Sequence, residues 1–172
     1  NAMVSSFTSV DRKEPESEGG QDVSVQDALR RASSQLMRRE YSYAELSRWL
    51  GQRGYSAVIT SAVVDQLTQA DLLSNERFAR ALARTRRDAG YGPRRIAAEL
   101  RERGVEKAII AQTLVLFKDD WAEVAARVYD KQLRNAVGRG AREAQRRAVA
   151  VLIARGFERA HWRALTRPDD EA

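Results

Sequence analysis

From Val25 onward the apolar residues recur three and four positions apart, as on one face of a helix, and no stretch joins β-branched enrichment to strict alternation over strand length. The pattern predicts an all-α chain. The periodic runs break at Tyr41-Ser42, Arg53-Gly54, Ala70-Asp71, Gly90-Tyr91-Gly92-Pro93, Arg103-Gly104, Lys118-Asp119, Gly138-Arg139-Gly140 and Arg155-Gly156. About nine helices of ordinary length fit between these breaks.

Three of the breaks share a sequence: Leu50-Gly51-Gln52-Arg53-Gly54-Tyr55, Leu100-Arg101-Glu102-Arg103-Gly104-Val105 and Leu152-Ile153-Ala154-Arg155-Gly156-Phe157. Their leucines stand 50 and 52 residues apart. In each, leucine faces a core, arginine occupies the last turn, where the helix dipole favours a cation, and glycine supplies the left-handed residue past the helix end. The apolar residue that follows closes the cap. Each such break should end a helix of about 11 to 15 residues and precede a shorter one, which predicts a three-helix module used three times and stacked into an elongated tandem array. The expected modules span residues 25–73, 74–118 and 119–172, the last with a short C-terminal tail. Residues 1–24, rich in Ser, Gly, Glu and Asp and without helical periodicity, read as a disordered tail. Asn1 and Ala2, ahead of Met3, read as a cloning remnant.

Composition narrows the classes. Hydrophobic residues make up 43% of the 172 and only three prolines interrupt them, so the chain can build a core with little to break its helices. The absence of cysteine excludes a disulfide framework, a thiolate nucleophile and a cysteine-ligated metal, and fits a reducing cytoplasm. No apolar run approaches the roughly 20 residues that span a bilayer, and the first residues lack a signal-peptide pattern, so a soluble cytoplasmic protein without membrane contact is expected.

Charge alters the picture further. The net charge of +6 divides into −3 over residues 1–24 and +9 over the remainder, and 26 of the 30 bases are arginine. Arginine's planar fork of donors suits phosphates and carboxylates, although a G+C-rich genome raises the arginine share as well. Between residues 76 and 104 nine arginines face four acids. Advancing about 100° per residue from Asn75 to Ala89 places Arg77, Arg80, Arg84 and Arg87 within an arc of roughly 80°, with Phe78 and Leu82 on another side. Such a ridge can follow nucleic-acid phosphates or meet an acidic protein surface; it can also be an ordinary solvated face paired to nearby glutamates. Arg94 and Arg95 emerge in the first turn behind Pro93, where cations oppose the helix dipole, which points to a partner rather than to local stability. Tyr91 either stacks on a base or interface or packs on its own module.

The other chemistry-bearing residues read as structural. Asp119 and Asp120 precede Trp121 as helix caps rather than metal ligands. His161 is the single histidine, with no second histidine or thiol to complete a zinc site or triad. Trp49, Trp121 and Trp162 fall one per module and suit packing, and Gly90-Tyr91-Gly92 lacks the lysine and preceding strand of a phosphate-binding loop. No cofactor, metal or nucleotide is expected.

The run Leu72-Leu73-Ser74-Asn75-Glu76-Arg77-Phe78-Ala79, followed by Gly90-Tyr91-Gly92-Pro93-Arg94-Arg95-Ile96 and Glu99-Leu100, resembles the central signature of RecX proteins. Tyr43-Ala44-Glu45-Leu46 with Arg53-Gly54-Tyr55 resembles the family's first unit, and Asp120-Trp121 with Arg155-Gly156-Phe157 its third, so the likeness covers roughly residues 25–166. Ser74-Asn75 departs from it, standing where the family usually places an aspartate near the helix start, and the third unit matches least. The resemblance implies a non-enzymatic protein of three-helix repeats that binds the RecA filament and modulates, in this family usually by restraining, its ATPase, strand-exchange and co-protease activities; the sequence leaves open whether this member inhibits or stimulates. The residues to carry partner or nucleic-acid binding would be Arg77, Arg80, Arg84, Arg87, Tyr91, Arg94 and Arg95. Single- or double-stranded DNA could meet the same basic face. A sequence-tolerant DNA-binding module acting without RecA is the alternative, and a purely structural helical adaptor is a third reading. No sustained heptad seam is present, so a monomer is expected.

Overall fold

A computed structural model describes residues 18–166 except 137 and 139. Among them nine α-helices run in order: α1 (Glu18–Leu36), α2 (Tyr43–Gly51), α3 (Ala57–Gln69), α4 (Asn75–Asp88), α5 (Pro93–Glu102), α6 (Lys107–Val115), α7 (Trp121–Arg134), α8 (Ala141–Ala154) and α9 (Arg159–Trp162). A 3-10 helix, Arg163–Thr166, follows α9. The described residues contain no strand, and the chain is all-α as its periodicity predicts. No helix among them is long and apolar enough to cross a membrane.

Local chemistry sets the helix ends. Ser42, Ser56 and Ser74 cap α2, α3 and α4, each side chain accepting from the amide three residues on, and Ser42 with Glu45 completes a capping box. Pro93 opens α5 behind Gly92. The three repeated breaks are one and the same Schellman cap: the amides of Tyr55, Val105 and Phe157 donate to the carbonyls of Leu50, Leu100 and Leu152. Gly54, Gly104 and Gly156 take φ of +86°, +78° and +84°, and the three leucines are completely buried. Burying each leucine contributes about 1.5–3 kcal/mol.

The units are alike in cap and unequal in size. α2 and α5 have 9 and 10 residues, below the length expected ahead of the cap, and α3, with 13, is longer than the helix it follows. α1 begins at Glu18, so residues 18–24, read from sequence as tail for their polar composition and lack of apolar periodicity, are helical. The rest of that tail, residues 1–17, lies outside the described residues. The core is not divided in three either. α1–α3 close around Ala28, Ala32, Leu46, Leu50, Val63 and Leu67, whereas α4 to α9 share one continuous core in which Ile96 and Leu100 join Trp121, Val128, Leu152 and Phe157.

Each module docks on the next through the same joint. The N-cap of the second helix in one module meets the Arg-Gly cap of the following module. Ser42 Oγ donates to the Arg103 carbonyl at 2.6 Å, and Ala44 packs against Gly104 so closely that a Cβ on the glycine would come within 2.5 Å of the Ala44 Cβ. At the equivalent place the Gly92 amide donates to the Arg155 carbonyl at 2.7 Å and the Arg94 amide to the Gly156 carbonyl at 3.1 Å. Among the described residues no hydrogen bond or ion pair joins α1–α3 directly to α7–α9.

Close approach, not backbone conformation, requires glycine at 92: its φ of −88° suits any residue, but a Cβ there would sit 2.5 Å from the Gly156 backbone. Gly140 holds the same N-cap place in α8, and among the described residues nothing lies within 4 Å of a would-be Cβ. Gly92→Ala is therefore expected to cost about 1–3 kcal/mol more than Gly140→Ala, the range for forcing a methyl into a packed contact. Urea midpoints of the two variants in dilute solution measure the difference, and equal midpoints would contradict the joint.

Candidate partner-binding site

α4 carries the densest basic sequence, and the fold divides its arginines. On the helical wheel Arg77 and Arg87 are the edges of the basic arc and Arg80 and Arg84 its middle. The edges are engaged. Arg77, half-buried, donates to Glu40 at 3.1 Å, to the Asp71 carboxylate at 2.7 Å and to the Asp71 carbonyl at 2.9 Å. Asp71 is poised for this by a left-handed backbone, φ +53°, just after α3. Arg87 donates to Asp120 at 2.6 Å, pairs with Asp88 at 2.8 Å and lies 4.9 Å from the Phe117 ring centre. The continuous four-arginine ridge of the sequence reading is thus corrected to an exposed pair: Arg80 and Arg84 face solvent, with no ionic partner among the described residues. Besides Asp88 on α4 itself, the neutralising acids come from the segments before α2 (Glu40) and α4 (Asp71) and from the start of α7 (Asp120), which a single-helix wheel does not include.

Arg86, absent from the predicted set, is the arginine of α4 with the most structural consequence. Its guanidinium grips Glu99 of α5 in a bidentate pair, both contacts 2.7 Å. Glu99 also accepts from Arg103 at 2.8 Å, Arg103 reaches Glu45 at 2.5 Å, and Glu45 accepts from Arg39 at 3.0 Å. This chain of alternating charges runs from the second module into the first. The flanking guanidinium of Arg86, followed by that of Arg103, holds the Glu99 carboxyl below its ordinary range against a smaller opposing effect of burial. Asn75 makes the second link of that joint: completely buried, it accepts from the Tyr43 amide at 2.9 Å and donates to Glu106 at 2.9 Å. The signal for Asn75 was its departure from the family pattern. Ser74 takes the cap and leaves Asn75 free to bridge.

Tyr91 is partly buried against the shared core, with the Arg155 guanidinium 5.5 Å from its ring centre. It packs on the core that the second and third modules share, a wider packing than the own-module role the sequence offered. Arg155 donates to the Gly90 carbonyl at 3.2 Å and belongs to the joint. Arg94 is 73% exposed in its side chain and 3.4 Å from Glu158. Arg95 is exposed and, with Tyr91, Arg86, Glu99 and Arg103, lines a cleft of about 320 Å³. Arg86 lies roughly 120–160° around α4 from Arg80 and Arg84, so the cleft and the exposed pair are on different sides of the helix. The seven predicted residues do not form one patch.

Asp120 stands at the N-cap of α7 without making a side-chain cap bond; it takes Arg87 instead, which corrects its expected capping role. His161 Nδ1 accepts from the Glu158 amide at 3.1 Å, and burial lowers its pKa against the raising effect of Glu158. Of the tryptophans, Trp121 is buried in the shared core, Trp162 packs against it, and Trp49 sits half-buried with the Arg53 guanidinium 3.7 Å from its ring centre.

Because the folded pKa of Glu99 is lowered, its contribution is present above the ordinary carboxylate range and is lost as pH falls through that range. Glu99→Gln, which leaves two guanidinium groups facing a neutral amide, is expected to lower stability by about 1–3 kcal/mol at neutral pH. The gap to the unsubstituted protein should close as pH falls below the carboxylate range. Thermal melts across pH follow it, and a pH-independent gap would contradict the pairing.

The family model for the second three-helix domain of RecX matches residues 74–114, from the cap of α4 nearly to the end of α6. Regulatory protein RecX of Xanthomonas axonopodis pv. citri (strain 306) is 36% identical over 162 residues, covering 94% of this chain and 99% of that protein. Regulatory protein RecX of Stenotrophomonas maltophilia (strain R551-3) is 38% identical over 149 residues, covering 84% and 90%. A crystal structure of RecX from Lactobacillus salivarius superposes with a TM-score of 0.75 at 18% identity, covering 84% of this chain and 95% of that one, which is a likeness of fold. With more than a third of its residues identical to such relatives along nearly its whole length, the chain belongs to the RecX family of regulatory proteins.

Proposed function

We propose that this protein binds the RecA filament and restrains its ATPase, strand-exchange and co-protease activities. It acts by association in the cytoplasm, as part of DNA repair and the SOS response, and performs no chemistry of its own. Family membership supports the partner, and the observation that carries the binding mode is the split of the α4 arginines. Arg80 and Arg84 are exposed, in the module that the family model matches, while their neighbours are held by acids. Two cations on a rigid helix, spaced one turn apart, can meet carboxylates on a filament surface with little loss of side-chain freedom beyond their own.

The same exposed pair favours a second reading, sequence-tolerant binding to DNA without RecA. A salt slope near that of several phosphate contacts, unchanged by RecA, would mark that behaviour.

RecA's DNA-dependent ATPase, titrated with this protein, tests the proposal. Arg80→Gln/Arg84→Gln is expected to keep its melting temperature yet need roughly 2- to 30-fold more protein for half-inhibition, the range for two lost surface pairs. Arg77→Gln/Arg87→Gln should melt lower instead, because it strips Glu40, Asp71 and Asp120 of their partners. An ATPase indifferent to the unsubstituted protein would overturn the RecA reading.

A further inference from the structure

The three Arg-Gly caps are alike in fold and unlike in occupancy. The caps at Gly104 and Gly156 are filled by the starts of α2 and α5, whose N-cap groups donate to the carbonyls of Arg103 and Arg155. The cap at Gly54 has the same left-handed glycine and the same Schellman bond, yet among the described residues nothing stands before it. Arg53 and Gly54 are exposed, and among the described residues no atom lies within 4 Å of a would-be Cβ on Gly54 and no donor reaches either carbonyl.

The opposite end of the array has the complementary vacancy. α8 is the third of the equivalent helices, and it begins on Gly140, an N-cap with no side-chain bond and, among the described residues, no neighbour within 4 Å of a would-be Cβ. In α5 the glycine at this place is what lets the next module approach, whereas among the described residues no contact requires one at 140. The amides of Ala141 and Arg142 have no acceptor among the described residues. Glu143 occupies the third position of α8, as Glu45 does in α2, and Glu45 is the residue that Arg103 of the docked cap grips at 2.5 Å. The counterpart of Arg103 at the open cap is Arg53, now lying over the Trp49 ring and donating to the Trp49 carbonyl at 3.2 Å. Pairing it with a carboxylate of another molecule would exchange these contacts, and the 2.9 Å pair that Glu143 makes with Arg147 on its own helix, for a contact between molecules.

We propose that the open Arg53-Gly54 cap receives the α8 N-terminus of a second copy of this chain, repeating the internal joint between molecules, with Arg53 paired to Glu143. Three features select a second copy over a foreign helix. It carries a glycine N-cap with no neighbour among the described residues, it places a carboxylate where Glu45 is gripped at the first internal joint, and the N-cap-to-carbonyl bond already exists twice inside the chain, the second time with Arg95 at that helical position and Arg155 on the Gly90 carbonyl. The two surfaces are different, so the contact is heterologous and extends into open head-to-tail chains rather than closing at a dimer. This departs from the monomer expected of a sequence without a heptad seam.

Sedimentation velocity of the full chain alone, from low micromolar to millimolar protein, tests the joint without RecA or DNA, so its outcome is independent of the proposed function. The weight-average mass is expected to rise with concentration and to pass that of a dimer. Arg53→Glu and Glu143→Arg, both exposed or partly exposed changes whose folding is checked by circular dichroism, should each hold the protein at monomer mass. The double variant, with the charges exchanged, should associate again. Monomer mass at every concentration, or association that Arg53→Glu leaves intact, including capture through some other face, would overturn the proposal.

Discussion

The constraint on which the rest of the structure depends is a hydrogen bond to a helix's last exposed carbonyl. A Schellman cap satisfies the inner carbonyls of a helix end and leaves the residue before glycine with its oxygen pointing outward. In this chain that oxygen, on Arg103 and Arg155, is taken by the N-cap of the preceding module's second helix. One element thus terminates a helix and anchors a neighbour. The absence of a Cβ at Gly104 and Gly156 allows backbone to meet backbone or Ala44 at contact distance. Substituting either glycine would therefore disturb two modules together. Stability in such an array is a sum of module and nearest-neighbour contributions, and the second module, with a joint on each side, is the one that holds the others in register.

The joints also explain where the arginines go. The first joint is polar, with Ser42, Asn75, Glu45 and Arg103 meeting at a boundary between two separate cores. The second is backbone-to-backbone over a continuous core, with Arg155 wrapping the Gly90 carbonyl. Both draw on a forked cation that can satisfy two acceptors at once, as Arg86 does at Glu99, where lysine would be a single point charge. Much of the arginine content is therefore structural. What stays exposed on α4, Arg80 and Arg84, has no counterpart duty inside the fold.

Most of the architecture could be read in the sequence because its signals are local. Apolar spacing identified the helices, and Leu-x-x-Arg-Gly-apolar identified the caps with their left-handed glycines. What sequence alone missed came from contacts between elements. The wheel placed Arg77 and Arg87 on one ridge with Arg80 and Arg84, but Glu40, Asp71 and Asp120 arrive from other segments to claim them. Asp120 looked like a cap because it precedes Trp121; its backbone is helical (φ −85°, ψ −21°) and not extended as a capping residue's is, and its carboxylate takes Arg87 instead. Asn75 looked like a minor departure at a helix start and proves to bridge two modules, which no spacing rule reveals. A polar composition without apolar periodicity concealed the first turns of α1.

The central claim is that the cap-to-N-cap joint makes the modules one cooperative unit, and native-state hydrogen exchange of the full chain tests it most directly. The amides of Gly92 and Arg94 belong to the second module but donate only to carbonyls of the third. If the joint holds the array together, both should exchange as slowly as the interior amides of α5, opening only with global unfolding. Rapid exchange at these two positions, with α5 itself still protected, would mean that the modules part while each stays folded, and would contradict the account.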